Sequence, residues 1–435
     1  MTKYISIQDA MKQAGSKAGA PVAVRGWIYR ERGSKELRFL VLRDSTNIIQ
    51  CVLKREKFEK QWDEIGKLQI EASVEIEGVI KKDERAPTGF EIEVDKINIV
   101  GVSSEFPINK DLNEELLGDR RHLWLRSRKM TAIMKIRSSY IQARDEFFRK
   151  EGFFRFDAPI LQPTQSEGGS TVFGVDYYGK KVYLAQTWQL YGEAAIFALE
   201  KVYNMGPTFR AENSKTSRHL SEFWMAETEV AWWHLDEITE FAKKEIKYCV
   251  EKVAEECAEE LKILGQDPKK LLEIVKKKWP TIKYREALKI LADKDKMKVK
   301  FGKDLRTIEE QTLMQHFDTP VVVTHYPREV MAFYKPQDPK NKDEALCFDM
   351  LAPKCGLEIV GGSERSLNIK EMSENLKRDG ENPEDYGFYF DLRKYGSVPH
   401  SGYGVGVERV LQWICGLESI KDAIPFPRTA LRWKP

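Results

Sequence analysis

The sequence predicts an α+β protein, with a small β module at the N-terminal end and a larger mixed domain behind it. Three observations predict this. Residues 20–100 hold five runs in which β-branched residues alternate with polar ones, separated by turn formers. The segments Thr131–Gly152 and 235–264 carry apolar residues at helical spacing. Between them, Phe209–Glu229 is periodic at both ends and polar in the middle, as two antiparallel strands joined by a long loop would be.

Taken in order, VAVRGWIYRE, KELRFLVLRD, NIIQCVLKR, ASVEIEGVIKK and GFEIEVDKINIV read as strands, with RGSK, DSTN and DERAPTG as turns. Five short strands in about eighty residues suit a closed barrel of the OB-fold type, or another small β module. This gives a first domain at 1–102. Residues 103–130 mix turn formers with charges and have no sustained period, so they read as a linker. The second domain, 131–435, opens with the helix that Gly152 ends, followed by a strand over Phe154–Leu161. The amphipathic stretch from Leu235 reads as part of a solvent-facing helical insertion at about 236–295.

Bulk properties exclude several classes. At 435 residues the chain has room for two or three domains and a large core. Charged residues make up 32% yet nearly cancel at +3, so any basic surface for a nucleic acid must be local. None of the six cysteines forms a CxxC pair and the six histidines are scattered, so no zinc site is expected. The start, MTKYISIQDAMK, has no apolar signal core, and no run of eighteen apolar residues occurs. The expectation is a cytoplasmic protein with reduced cysteines and no membrane span.

The segment Phe209–Glu229 carries the chemistry. Arg210, Glu212, Lys215, Arg218 and His219 crowd its loop, and Phe223 opens the return strand. Guanidinium forks make short, charge-assisted bonds to phosphate oxygens, so such a loop suits a triphosphate. On charge alone a solvated hairpin would serve as well. Further on, Ser401–Val410 places Gly402, Gly404 and Gly406 before Glu408 and Arg409. Those glycines let backbone approach a ligand, or relieve the packing of a strand against a helix.

With the helix Thr131–Gly152 and the strand ending at Pro159, these segments resemble, in order, motifs 1, 2 and 3 of the class II aminoacyl-tRNA synthetases. The likeness falls in the branch with the aspartyl, asparaginyl and lysyl enzymes, and is nearest to the archaeal-type asparaginyl ones. It implies a catalytic domain of antiparallel sheet flanked by helices, holding bent ATP. It implies a homodimer through motif 1.

The resemblance also assigns roles. Arg210 would hold the α-phosphate, and His219 and Arg409 would reach the β- and γ-phosphates. Glu212 would accept from the adenine amino group, and Phe223 would stack on the ring. Arg218 and Lys215 would meet phosphate or the tRNA acceptor end, unless they only face solvent. Asp349 and Glu358 would hold Mg²⁺ as hard oxygen ligands. Glu167 and Gln189 would bind the substrate α-amino group.

Where aspartyl enzymes carry a lysine for the substrate carboxylate, this chain has Gly192. Where they usually carry Asp, it has Glu227, which would accept from a side-chain NH₂ while Arg365 donates to the amide oxygen. The implied reaction is therefore the ATP-dependent ligation of L-asparagine to tRNA(Asn). A non-discriminating aspartyl enzyme, a synthetase-derived asparagine synthetase and a non-enzymatic RNA-binding relative are the rivals. In the barrel, Phe39 would stack on an anticodon base, Gln50 would read a base edge and Arg30 would touch a neighbouring base or phosphate. Strand alternation alone leaves Phe39 free to be a core residue.

Overall fold

The computed structural model describes residues 2–16, 19–108, 113–165, 172–213, 218–353 and 355–435. It separates into two compact units, 1–117 and 118–435.

The first unit is a closed five-stranded barrel. After helix α1 (Ile7–Ser16) come β1 (Ala20–Gly33), β2 (Leu37–Arg43), β3 (Ile48–Lys54), β4 (Ser73–Lys82) and β5 (Phe90–Gly101). They close in the order β1-β2-β3-β5-β4, with β3 and β5 parallel and the other pairs antiparallel. Alternation fills the inside: Leu40, Leu42, Ile49, Cys51, Leu53, Ile92 and Val94 share one core with Ile7, Ala10 and Ala14 of α1.

The second unit is an eight-stranded sheet with helices packed on it. In chain order its parts are α2 (Arg128–Lys150), β6 (Phe154–Arg155), α3 (Gln189–Leu199), β7 (Lys201–Phe209), β8 (Glu222–Ala231), α4 (Leu235–Glu256), α5 (Pro268–Lys276) and β9 (Thr281–Lys283). There follow α6 (Tyr284–Asp295), α7 (Thr307–Met314), β10 (Val321–Thr324), β11 (Cys347–Leu351), β12 (Glu358–Glu364), β13 (His400–Gly406) and α8 (Val407–Cys415). The sheet runs β9-β10-β11-β12-β13-β8-β7-β6; its six central strands are antiparallel and only the two end pairs are parallel.

Ser127 caps α2, its side chain accepting from the Met130 amide at 3.2 Å. Gly152, at φ 79°, turns the chain out of the helix. The strand expected over Phe154–Leu161 is broken: only Phe154–Arg155 pairs with the large sheet, and Leu161–Gln162 joins a separate three-stranded sheet. Pro159 lies between the two pieces and has no N–H for a ladder.

One expectation fails outright. Helix α4 is not a solvent-facing insertion. Its apolar stripe, from Ile238 through Phe241, Ile246 and Val250 to Val253, lies in the largest core of the protein. Helices α2 and α8 contribute Ile133, Tyr140, Phe148, Val410 and Ile414 to the same core. Amphipathicity shows that a helix buries one face; it does not say against what. No helix among the described residues is long and apolar enough to cross a membrane.

Arg144 of α2 clamps this layer to the sheet. It donates to Glu245 of α4 at 2.8 Å and to the Asn204 carbonyl of β7 at 2.8 Å, and its guanidinium lies 4.4 Å over the Phe148 ring. Both charged groups are fully buried. Removing one leaves the other unmatched in a low-dielectric core. Arg144→Met should therefore destabilise the fold by about 3–5 kcal/mol, whereas Arg144→Met with Glu245→Met should recover much of the loss. Guanidinium unfolding midpoints check this; a single variant as stable as the parent would refute the clamp.

Candidate active site

On the sheet face opposite the α2–α4 layer, residues from five separated segments line one pocket. Strand alternation divides β8 between the two faces: Ala226 and Val230 enter the core, while Phe223, Met225 and Glu227 face the pocket. The neighbouring strand β13 must leave room for these long side chains. A Cβ on Gly402 would fall 2.2 Å from the Glu229 carboxylate, and one on Gly404 would fall 2.5 Å from the Met225 methyl. The glycines expected to admit a ligand thus first admit the side chains of β8; Gly404 and Gly406 still line the cavity.

At one end stand the expected cations. Arg210, Glu212, Arg218, His219, Phe223 and Arg409 all line the pocket. The Arg210 guanidinium lies 5.6 Å over the Phe223 ring. Arg218 donates to the Cys355 carbonyl at 3.1 Å. Arg409 donates to the Glu358 carboxylate at 3.0 Å and to the Glu358 carbonyl at 2.9 Å. Burial, then the nearby Arg409, Arg210 and Arg218, push His219 below its ordinary pKa, with Glu212 opposing. The imidazole is therefore neutral near pH 7, a donor or acceptor rather than a third fixed charge. Lys215 lies outside the described residues.

Asp349 and Glu358 also line this end. Asp349 pairs in register with Gly361. A Cβ on Gly361 would lie 2.9 Å from Glu358 Oε1 and 3.4 Å from Asp349 Oδ1, so both carboxylates converge on one spot. Burial, and then Glu358, pushes Asp349 up to about 8. Glu310 of α7 is likewise pushed up to about 8, by burial and then by Glu358 and Asp349. Burial pushes Glu358 up, but Arg409, Arg210 and Lys335 together hold it below the usual range. Crowded hard-oxygen acids that raise one another's pKa suit a small dication. Among the described residues no three such groups form a complete metal cage. Two protein carboxylates with substrate phosphates and water are the expected donor set for Mg²⁺.

The other end is built on buried charge. Arg365 donates through Nε to Glu229 at 3.2 Å, contacts the same carboxylate through Nη2, and donates to Ser363 Oγ at 2.7 Å. Glu229, which the sequence did not single out, is thus the carboxylate bound to Arg365. Glu227 instead accepts from Thr187 Oγ1 and from the Trp188 amide at 2.8 Å. Glu227 and Glu229 share one face of β8 and both face glycines of β13, Gly404 and Gly402; the Glu229 carboxylate lies over Gly402, where it meets Arg365. Beneath them Glu193 accepts from Gln189 Nε2 at 2.8 Å, from the Tyr389 hydroxyl at 2.8 Å, from Arg393, and meets His400 Nε2 at 3.0 Å. Arg393, His400 and Arg365 hold Glu193 well below the usual carboxylate range in spite of its burial. Glu229, buried beside Glu193, is pushed up to about 8, although Arg365 pulls it back.

Gly192 now has a physical reason. A Cβ there would fall 2.2 Å from the Trp188 indole, whose Nε1 donates to the Phe156 carbonyl at 2.8 Å. No cation reaches the pocket from position 192 because a buried ring fills the space.

The comparisons with known proteins agree with this geometry. Residues 113–430 match the family described as tRNA synthetases class II (D, K and N), and residues 22–100 match the OB-fold nucleic acid binding domain. The chain belongs to the class II aminoacyl-tRNA synthetases. It is 44% identical to an asparagine–tRNA ligase of Thermoplasma acidophilum, covering 96% of this chain and 97% of that one. It is 41% identical to one of Lactobacillus johnsonii over the whole of both chains. Its structure superposes on asparaginyl-tRNA synthetase from Pyrococcus horikoshii complexed with asparaginyl-adenylate, at TM-score 0.94 and 40% identity over all of both chains.

In the synthetase's barrel unit, the other expected residues share one outward face. Arg32 pairs in register with Phe39 and lies 5.0 Å over its ring. Arg32 also donates to Gln50 Oε1 at 3.3 Å, and Gln50 donates to Glu91 at 3.0 Å. Phe39 is half-buried and stands outside the barrel core. Arg30 is exposed, two residues from Arg32 on the same strand.

The structure thus gathers Arg210, Glu212, Arg218, His219, Phe223, Asp349, Glu358, Gln189, Glu227, Arg365 and Arg409 around one cavity. Glu167 lies outside the described residues. Sequence reasoning missed Lys335 at the acid end, Glu310 beside the acids, and Glu193, Glu229, Arg393 and His400 under the floor. Glu229 closes the Phe209–Glu229 run, where Glu227 drew the reading instead; the others sit outside the motif segments. His400, in the run before Gly402, had the nearest signal.

The depressed His219 pKa is directly measurable. Its imidazole should titrate with a midpoint below 6.5 in the free protein, and the midpoint should rise when ATP brings phosphate charge beside it. Folding releases a proton at this group, so its contribution to stability is present above 6.5 and fades as pH falls through the folded midpoint. Histidine NMR with a His219→Gln variant to assign the signal checks both; a midpoint above 6.5 without nucleotide would contradict the arrangement.

Proposed function

We propose that the chain activates L-asparagine with ATP and passes it to the 3′ end of tRNA(Asn). The observation that carries the reading is the engaged guanidinium at the amino-acid end. Arg365 is already bonded by Glu229, and Trp188 fills the space a side chain at 192 would need, so the pocket fits an uncharged carboxamide. Aspartate would bring a carboxylate against Glu227. The full-length relatives described as asparagine–tRNA ligases support the same substrate.

In the first step the asparagine carboxylate attacks the α-phosphorus of ATP. A phosphorus–oxygen bond to the β-phosphate breaks and pyrophosphate leaves, giving asparaginyl-adenylate. The protein supplies no nucleophile; positioning and fixed charge lower the barrier. Arg210 steadies the α-phosphate, and Phe223 under the guanidinium offers the face on which adenine stacks. Glu212 accepts from the adenine amino group. Arg409 and neutral His219 reach the β- and γ-phosphates. Gln189, whose amide nitrogen is engaged by Glu193, turns its acceptor oxygen to the α-ammonium. Glu167 serves the same ammonium. Glu227 accepts from the side-chain NH₂, and Arg365 donates to the side-chain oxygen.

Mg²⁺, held by Asp349 and Glu358, would draw charge from the phosphates as pyrophosphate leaves. In the second step a terminal ribose hydroxyl of the tRNA attacks the activated carbonyl, and AMP departs. Phe39, Gln50 and Arg30 read the anticodon, with Arg32 and Glu91 fixing the Gln50 amide. The chain acts in the cytoplasm as a homodimer. Exposed Phe154, Ile160, Leu161 and Phe173, around the motif 1 strand, supply an apolar face for that pairing.

Amino acid-dependent ATP–pyrophosphate exchange tests the reading. Asparagine should support exchange, aspartate should be slower by about 10³–10⁴-fold, and Arg210→Ala should abolish both. Equal rates with the two amino acids would overturn it. The indole makes a second forecast. Gly192→Lys alone should impair folding, because lysine cannot share the space of Trp188. Trp188→Gly with Gly192→Lys should fold and shift the exchange ratio toward aspartate. An unchanged ratio in a folded double variant would show that position 192 does not face the substrate.

A further inference from the structure

The segment 268–306 concentrates charge that the rest of the chain does not have. It holds twelve lysines and two arginines against five acids, a formal +9 in a chain whose total is +3. All fourteen basic residues are exposed. The ion pairs of the segment use Arg285, with Glu344, Arg306, with Glu309, and Asp295, with His316; among the described residues the twelve lysines form none. A merely solvated surface mixes both signs, because a one-sign field repels itself and lowers stability.

The fold holds these lysines in fixed rows. Met297, Val299 and Phe301 pack inward against the cluster around Tyr284 and Leu291, which turns Lys296, Lys298 and Lys300 outward. At the end of α5, Trp279 is buried and the Lys277 carbonyl accepts from Lys247 at 2.7 Å, so Lys276–Lys278 stand on an anchored corner. The segment also leads to the pocket. Helix α7 follows it directly, and a Cβ on Gly356 would lie 2.5 Å from the Gln311 Cα of that helix. The neighbouring Cys355 carbonyl holds Arg218 of the pocket rim.

We propose that residues 268–306 form a docking surface for the sugar–phosphate backbone of the tRNA limb whose 3′ end enters the pocket. The proposal rests on tRNA ligation as the chain's function and assigns a role to a segment outside the chemistry of the site. Its contacts are with phosphate, so it adds affinity without reading sequence.

Two variants of exposed residues test it: Lys296→Gln/Lys298→Gln/Lys300→Gln and Lys276→Gln/Lys277→Gln/Lys278→Gln. Aminoacylation at several salt concentrations should show a KM for tRNA raised about tenfold in at least one variant. The slope of log KM against log salt should fall by about two to three. Asparagine-dependent ATP–pyrophosphate exchange, which needs no tRNA, should keep its parental rate in both and so certify the fold. Unchanged KM and salt slope in both variants would overturn the proposal. So would binding to anionic phospholipid vesicles that the variants lose while their KM for tRNA stays parental. If the parent chain lacked asparagine-dependent exchange, the functional reading would fall instead. Titrating labelled tRNA with salt would then still test the surface directly, and equal affinity of parent and variants would refute it.

Discussion

Two buried carboxylates share two buried guanidiniums, and the amino-acid end of the pocket rests on that match. Glu193 meets Arg393, Arg365 and His400; Glu229 meets Arg365. Neither acid can be removed from water alone, and neither guanidinium can be left without a partner. Together they fix Arg365 at the pocket wall and occupy its Nε and Nη2 donors. A site that offers hydrogen bonds without a free positive charge favours a carboxamide over a carboxylate. Selectivity here is a property of the set of groups beneath the pocket more than of any one group lining it.

The same economy of space recurs above that floor. Long acidic and apolar side chains on β8 lie across a strand whose facing positions are glycines, and Trp188 occupies the volume a side chain at 192 would need. At the opposite end, acids crowd until burial and mutual repulsion raise Asp349 and Glu310. Charge is therefore graded along one cavity: guanidiniums and carboxylates interleave at the Arg210–Glu358 end, and a closed ion-pair network underlies the Arg365 end.

Much of the site was legible because it is local. Arg210, Glu212, Arg218, His219 and Phe223 fall within fifteen residues, and a loop between two strands must bring them together whatever the rest of the chain does. The outward face of the barrel was legible for a similar reason: period two puts Phe39 on one side and Leu40 on the other, though only the barrel's closure decided which side was core. The misreadings have a common cause. Helix α4 displayed its apolar stripe without its partner, and the strand expected over Phe154–Leu161 displayed its alternation without the break at Pro159.

The sequence by itself determined the element types, the order of the motifs and the kind of chemistry, since each depends on residues close along the chain. Only the tertiary structure decided which carboxylate faces Arg365, why position 192 must be glycine, and that Glu193, Arg393, His400 and Glu310 belong to the site. Those facts follow from side chains that meet across gaps of up to two hundred residues, such as Arg393 on Glu193. Burial forces such groups to find partners, but nothing in the linear pattern says where the partners are.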